Sequence, residues 1–377
     1  MLVKLKDIAT YINGKAFKPS EWVETGLPII RIQNLNNPSK EYNYFDKEVH
    51  EKYIVENGDI LISWSATLDI FEWKREKALL NQHIFKVVFD KEIEIDKSYF
   101  KLAISSVLHT MEKYTHGSTM KHIVKKDFEN IKIPLPPLKK QKTIAKTLDK
   151  AKELIELRKE SIVKLDELSR SVFVDMFGDP MENPMDWKKD KADNYIELLT
   201  GYPFKSKDYS QNKNDIKLCG GLIITPIGIE WDKANLWNKN DTSHLEKYWL
   251  EVDDIVMAMD RPWISTGFKI YQIKKQDIGT LLVQRTARIR SNILNLKFLY
   301  FLYKEPYFEL QARVTETTIP HISPKDIRNY DIIIPPIDLQ QKFAKTIQKI
   351  EAQKSLYEEE LKKLEYNFEA LLNESFS

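Results

Sequence analysis

Two stretches of this chain place apolar residues at steps of three, four and seven. After Pro136-Pro137 they fall at Ile144, Leu148, Ala151, Ile155, Ile162, Leu165, Val172 and Met176. After Pro335-Pro336 they fall at Phe343, Ile347, Ile350, Tyr357, Leu361, Leu364, Phe368 and Leu371. This heptad spacing predicts two long amphipathic helices. Arg158 and Ser169 interrupt the first seam and Lys354 the second. Proline just ahead of each run suits a helix start, because its missing N–H has no intrahelical partner there. Gly178-Asp179-Pro180 is a stop for the first helix. Each helix would run for roughly 38 residues, or about 57 Å at 1.5 Å per residue. One such helix cannot bury its own stripe, whereas two of matching period bury theirs against each other. The period leaves the direction of pairing open. An antiparallel coiled coil, which would set two globular parts at opposite ends of a rigid ruler, is the arrangement expected.

Elsewhere the pattern alternates over short runs. Pro28 to Ile32, Asp59 to Ser63 and Ile84 to Phe89 read as strands separated by turn signals such as Asn57-Gly58-Asp59, and a helix follows from Lys97 to Lys113. The same order returns later: Gly221 to Ile224, Asp254 to Ala258 and Ala287 to Ile289 as strands, then a helix from Leu296 to about Arg313. Both parts read as strand-rich α+β domains.

The order recurs because the chain repeats. Residues 125–177 align without a gap on 324–376, with 16 of 53 positions identical. Lys126-Asp127 matches Lys325-Asp326, Gln141 matches Gln340, and Ala145-Lys146-Thr147 matches Ala344-Lys345-Thr346. Upstream the similarity is weaker. Gly14 to Lys18 parallels Gly201 to Lys205, Gln82 parallels Gln284, and Thr119, His122 and Ile123 parallel Thr318, His321 and Ile322. The expected organisation is a globular domain over 1–137, a long helix over 138–180, a second globular domain over 181–336 and a second long helix over 337–377. The helices have diverged less than the domains, so they do one job twice while the domains do related but different ones.

Net charge is only +2, which rules out a uniformly basic coat. Local charge is different. Residues 121–146 hold eight lysines against two acids, and residues 261–290 hold seven Lys or Arg against one acid. Each excess is what phosphate neutralisation requires. Base readout needs forked donors and acceptors on loops that reach a groove. In the first domain the DNA-binding candidates are Lys15, Lys18, Ser63, Trp64, Ser65, Thr67, Gln82, His83, Ser118, Thr119, Lys121 and His122. In the second they are Lys205, Arg261, Trp263, Ser265, Gln284, Arg285, Thr317, Thr318 and His321.

No P-loop, HExxH, GxSxG or GxGxxG occurs, and the Pro-Pro pairs lack the flanks of an adenine-methyltransferase tetrapeptide. No catalytic, cofactor-binding or metal-binding residue is assigned. The acid pair Asp253-Asp254 reads as a turn before a strand. Cys219 is the single cysteine, which excludes an internal disulfide and suits a reducing cytoplasm. The N-terminus has no apolar signal segment and no run is long enough to span a membrane.

The duplicated Ile-Pro-Leu-Pro-Pro-Leu-Lys-Lys-Gln and Ile-Ile-Pro-Pro-Ile-Asp-Leu-Gln-Gln helix openings resemble the specificity subunits of type I restriction–modification systems. So do the loops before them, Gly117-Ser118-Thr119 to His122-Ile123 and Thr317-Thr318 to His321-Ile322. The resemblance covers nearly the whole chain, though longer members of the family carry further terminal segments. It implies two target recognition domains, each reading one half of a bipartite double-stranded DNA site in the major groove, with the helices setting the spacing. It implies no catalysis in this chain. Two modification subunits would methylate adenine with S-adenosylmethionine, and restriction subunits would join them. Read from the residues alone, a two-headed protein-interaction scaffold without nucleic acid is an alternative, as is a nuclease with unrecognised acids.

Overall fold

The structure is a computed structural model that describes residues 1–65, 67–114, 124–312 and 320–376. Each Pro-Pro pair opens a helix of 40 residues, Leu138–Phe177 and Ile337–Phe376. Gly178 ends the first at φ 73°, its N–H donating to Val174 O at 2.8 Å. A Cβ there would lie 2.7 Å from Pro184, so glycine satisfies both the turn and the packing.

The chain forms two compact units, Met1–Glu160 with Glu358–Ser377 and Ser161–Tyr357. Each holds a piece of both long helices. In the first unit Ala145 and Leu148 share a core with Leu372, and Ile144, Phe368, Leu371 and Phe376 pack on it. Further along, Arg158 Nη2 meets Glu360 at 2.9 Å. In the second unit Asp166 accepts from Lys354 at 2.6 Å, and the ring centroids of Phe173 and Phe343 are 5.6 Å apart. In both units numbers rise along one helix as they fall along the other, so the paired segments are antiparallel. The polar interruptions are used: Arg158 and Lys354 make these ion pairs, and Ser169 Oγ donates back to Leu165 O at 2.9 Å. A polar residue in an apolar seam fixes register, because any slip leaves it unpaired.

Each unit is built on one sheet plan. In the first, a four-stranded sheet runs in the order Thr10–Asn13, Ile84–Val88, Ile60–Ser65, Thr67–Glu72, all antiparallel. In the second the order is Glu197–Thr200, Thr286–Arg290, Ile255–Ala258, Ile270–Gln272, again antiparallel. A smaller sheet accompanies each, with one parallel pair: Leu27–Ile30 beside Ala78–Leu80, and Ile216–Cys219 beside Leu281–Leu282. The turns correspond as well. Gly58 and Asp253 both have positive φ, and each N–H bonds across its hairpin, to Trp73 O and Ile273 O. Asp253-Asp254 is thus a turn before a strand.

Three expectations shift. The sheet strand lies at Ile216–Cys219 and not at Gly221 to Ile224, where only the short strand Ile224–Thr225 forms. Leu218 and Cys219 are the residues that fill the core. The strand at Pro28 stops at Ile30, and Ile32–Asn36 is a short helix. The helix from Leu296 breaks after Lys304, because Glu305 before Pro306 is held extended (φ −74°, ψ 159°), and Pro306–Gln311 begins anew.

Gly14 and Gly201 mark the same close crossing in the two units. A Cβ on Gly14 would lie 2.0 Å from Asn81 O, and one on Gly201 would lie 2.1 Å from Val283 O. Replacing Gly201 with alanine should therefore destabilise the second unit by about 1–3 kcal/mol through overpacking against backbone. A lowered midpoint of urea unfolding would show it, and an unchanged midpoint would mean that the crossing yields freely.

Candidate nucleic-acid interface

The close crossing sets up a turn in each unit. Lys15 O accepts from Gln82 N at 2.9 Å, and Tyr202 O accepts from Gln284 N at 2.8 Å. The next residues, His83 and Arg285, both take left-handed backbone, φ 70° and 61°. Their carbonyls then receive the end of the neighbouring strand: Trp64 N to His83 O at 3.2 Å, Met259 N to Arg285 O at 2.9 Å. Thus Trp64 corresponds to Met259 and Ser65 to Asp260.

The hairpin beyond differs between the units. Ser63 pairs with Asp69 in the first, and Ala258 N bonds Lys269 O in the second, so five residues (64–68) face ten (259–268). Arg261, Trp263 and Ser265 all lie on the longer connection. It carries its own small hairpin, Trp263–Ile264 with Gly267–Phe268, and exposed Ser265 sits at the tip. Trp263 stacks on Phe268 at 4.8 Å, which makes it a support for the hairpin and not the counterpart of Trp64.

In the second unit three separate segments converge. Arg285 Nη1 donates to Asp260 Oδ2 at 2.7 Å. Asp260 bridges His321 through the backbone, and exposed Arg261 (φ 45°) donates its N–H to Pro320 O at 2.8 Å. Gln284, beside Arg285, is exposed. Lys269 lies beneath, buried, with Nζ donating to Gly221 O at 2.7 Å. Burial holds its pKa below the ordinary lysine value, opposed by the nearby Asp260 carboxylate.

The first unit brings together fewer of its candidates. Trp64 stacks on Phe85 at 5.6 Å, meets the His83 ring edge-on at 4.9 Å and donates Nε1–H to Asn13 at 3.2 Å. Gln82 is exposed beside them. Ser63 and Ser65 are buried, the Ser63 hydroxyl donating to Ser65 O, so neither faces a groove. Lys15 is half-buried with its ammonium over the Phe17 and Phe45 rings at 5.2 and 4.9 Å, while Lys18 and its counterpart Lys205 are exposed. Ser118, Thr119, Lys121, His122, Thr317 and Thr318 lie outside the described residues, as does the side chain of Thr67.

The basic excess of residues 261–290 is smaller on the surface than in the sequence. Lys269 and Arg288 are buried, and half-buried Arg290 pairs with Asp254 at 2.8 Å. Arg288 donates to Lys247 O at 2.9 Å and to Glu197 at 3.1 Å. The lysines at 125, 126, 132, 139, 140, 142 and 146 are all exposed, and Lys125 lies 3.5 Å from Glu129.

One feature escaped the sequence reading. Leu222 and Ile227 are 91% and 95% exposed, Leu222 just ahead of the hairpin Ile224–Thr225 with Gly228–Ile229 and Ile227 in its turn. An isoleucine between Pro226 and Gly228, where a polar turn residue is usual, was the available signal. Among the described residues no group of acids, histidines and cysteine has metal-site geometry. No helix there is long and apolar enough to cross a membrane.

A two-unit chain built on one repeated sheet plan, with polar tips on a shared frame, defines a class of paired recognition modules. The type I restriction modification DNA specificity domain matches residues 1–167 and again 184–366, and the chain belongs to that family. It is 28% identical over 375 residues to the type I restriction enzyme MjaVIII specificity subunit of Methanocaldococcus jannaschii, covering 93% of this chain and 85% of that one. It is 24% identical to the EcoBI specificity subunit of Escherichia coli, covering 92% and 78%. Among solved structures it resembles the S subunit of a type I restriction–modification system from M. genitalium, with TM-score 0.56, 14% identity and coverage of 100% and 96%. A chain from a structure of type I system assembly and conformational transition gives TM-score 0.60 at 16% identity, covering 100% and 97%.

Because Arg288 is spent inside the unit, Arg288→Ala should lower stability by about 1.5–3 kcal/mol, the worth of hydrogen bonds from a charged donor. Urea unfolding checks this. A variant of unchanged stability would mean that these bonds are replaced by water.

Proposed function

We propose that this chain reads DNA sequence for a type I restriction–modification complex, each unit recognising one half of a split site. The observation that carries the reading is the repeated frame with different chemistry at its tips. The same crossing and the same left-handed turn present histidine with tryptophan in one unit and arginine with aspartate in the other. A scaffold needs no such pairing of constant frame and changed polar tips, whereas two different half-sites do. The reading extends to partners: two modification subunits carrying S-adenosylmethionine, joined by restriction subunits, assembled in the cytoplasm around this non-catalytic chain. The exposed lysines at 125–146 supply part of the phosphate attraction, so DNA binding by the complex weakens steeply with salt.

Deleting the gene should abolish adenine methylation at one split motif, and restoring it should bring that motif back, read by methylome mapping. Methylation that persists unaltered without the gene would overturn the reading.

A further inference from the structure

The turn that carries Arg285 has a shape that its residue does not favour. Thr286 N donates to Val283 O at 3.2 Å, which puts Arg285 at the third position of a β-turn with φ 61°. Glycine or asparagine fills such a position with least strain. The first unit has the same backbone at His83, φ 70°, and it too holds a side chain there. A turn with only a structural task gains nothing from bearing a large polar group in left-handed backbone. Strain retained at one site of a repeated frame marks a side chain that is wanted for what it touches.

Arg285 is displayed and oriented at once. Its side chain is 70% exposed, yet Nη1 is held by Asp260 at 2.7 Å. Asp260 is itself fixed, since its backbone bridges His321 and the neighbouring Met259 bonds back to Arg285 O. An arginine pinned at one corner has surrendered much of its rotamer freedom before any ligand arrives. What it presents is a planar fork of parallel donors. Among base edges in the major groove, the fork matches guanine, whose O6 and N7 both accept. A phosphate fits less well, because the carboxylate of Asp260 would face it. The surroundings still attract DNA, since the exposed Arg261 and Arg285 outnumber the Asp260 carboxylate here.

We propose that Arg285, oriented by Asp260, reads a guanine in the half-site recognised by the second unit. The proposal rests on the DNA-specificity reading and adds the identity of one base to it. Asp260 is a positioning residue, and Arg285 the one that touches the base.

The test uses the assembled complex in cells that lack this gene and are complemented with wild type, Arg285→Ala, Arg285→Lys or Asp260→Asn. Wild type should methylate a split motif containing a G·C pair that Arg285→Ala makes degenerate, with the other positions kept. The preference for guanine there should fall by about 5- to 150-fold, the range for loss of one bidentate base contact. Arg285→Lys should be degenerate at the same pair, because lysine keeps the charge and lacks the fork. Asp260→Asn should relax the same pair by a smaller factor. An unchanged motif with Arg285→Ala, or full guanine preference with Arg285→Lys, overturns the proposal. So does loss of all methylation in both Arg285 variants, because one base contact does not carry the whole activity. Methylation that is indifferent to the gene itself is a separate result, and it strikes the functional reading instead.

Discussion

Neither unit can close its core with the chain nearest to it. In the first, the apolar face around Ala145 and Leu148 is sealed by Leu372, with Phe368, Leu371 and Phe376 alongside. In the second, Phe173 and Phe177 meet Phe343, and all three are fully buried. Removing one such phenylalanine costs on the order of 3–5 kcal/mol. The dependence is non-local, because the first unit lacks part of its core until the last twenty residues of the chain are in place. Such closure pays loop entropy before contact rewards it, which favours slow assembly. Buried Gln141 and Gln340 extend the constraint from the long helices to the segment ahead of each unit's own helix. Gln141 accepts from Asp96 N and donates to Pro136 O, and Gln340 does the same with Asn295 N and Pro335 O. Each glutamine ties the start of a long helix to the chain just before its unit's own helix.

On that base the two sheets form one frame repeated. Strand order, the parallel pair in the smaller sheet, the glycine crossing and the left-handed turn all recur. What differs lies at the rim: the longer connection in the second unit, the hairpin with Leu222 and Ile227, and histidine in place of arginine. Frame residues are buried and cannot change without cost, whereas rim residues face water and can. Divergence of this kind lets one architecture serve two different targets.

The helices were legible because a heptad is a period, and burial follows period directly. Their direction was not, because a period has no sense along the chain; the ion pairs Arg158–Glu360 and Asp166–Lys354 supply it. The strand pattern misled where both faces of a strand are covered. Ile60–Ser65 reads as apolar followed by polar, yet Ser63 and Ser65 lie inside. Gly220-Gly221 followed by three apolar residues looked like a strand, although the glycines start a loop and the true strand precedes them. Arg261 and Ser265 do lie on the connection beyond the strand Ile255–Ala258, whereas Ser63, Trp64 and Ser65, read as a loop after a strand, belong to the strand Ile60–Ser65 itself. Which of the tip residues meet was not readable, because Asp260, Arg285 and His321 approach only through tertiary pairing.

Charge is where sequence and structure diverge most usefully. Counting along 261–290 gives seven cations, but Lys269, Arg288 and Arg290 are held by Gly221 O, by Lys247 O with Glu197, and by Asp254. Cations used in this way stabilise the unit and add nothing to phosphate neutralisation. Fewer free cations mean less counterion release, hence weaker binding to DNA of arbitrary sequence. Discrimination depends on the difference between the right site and all others, so a low non-specific background raises it without any new base contact. A net charge of only +2 is therefore consistent with a reader whose selectivity comes from a few oriented groups on a rigid frame.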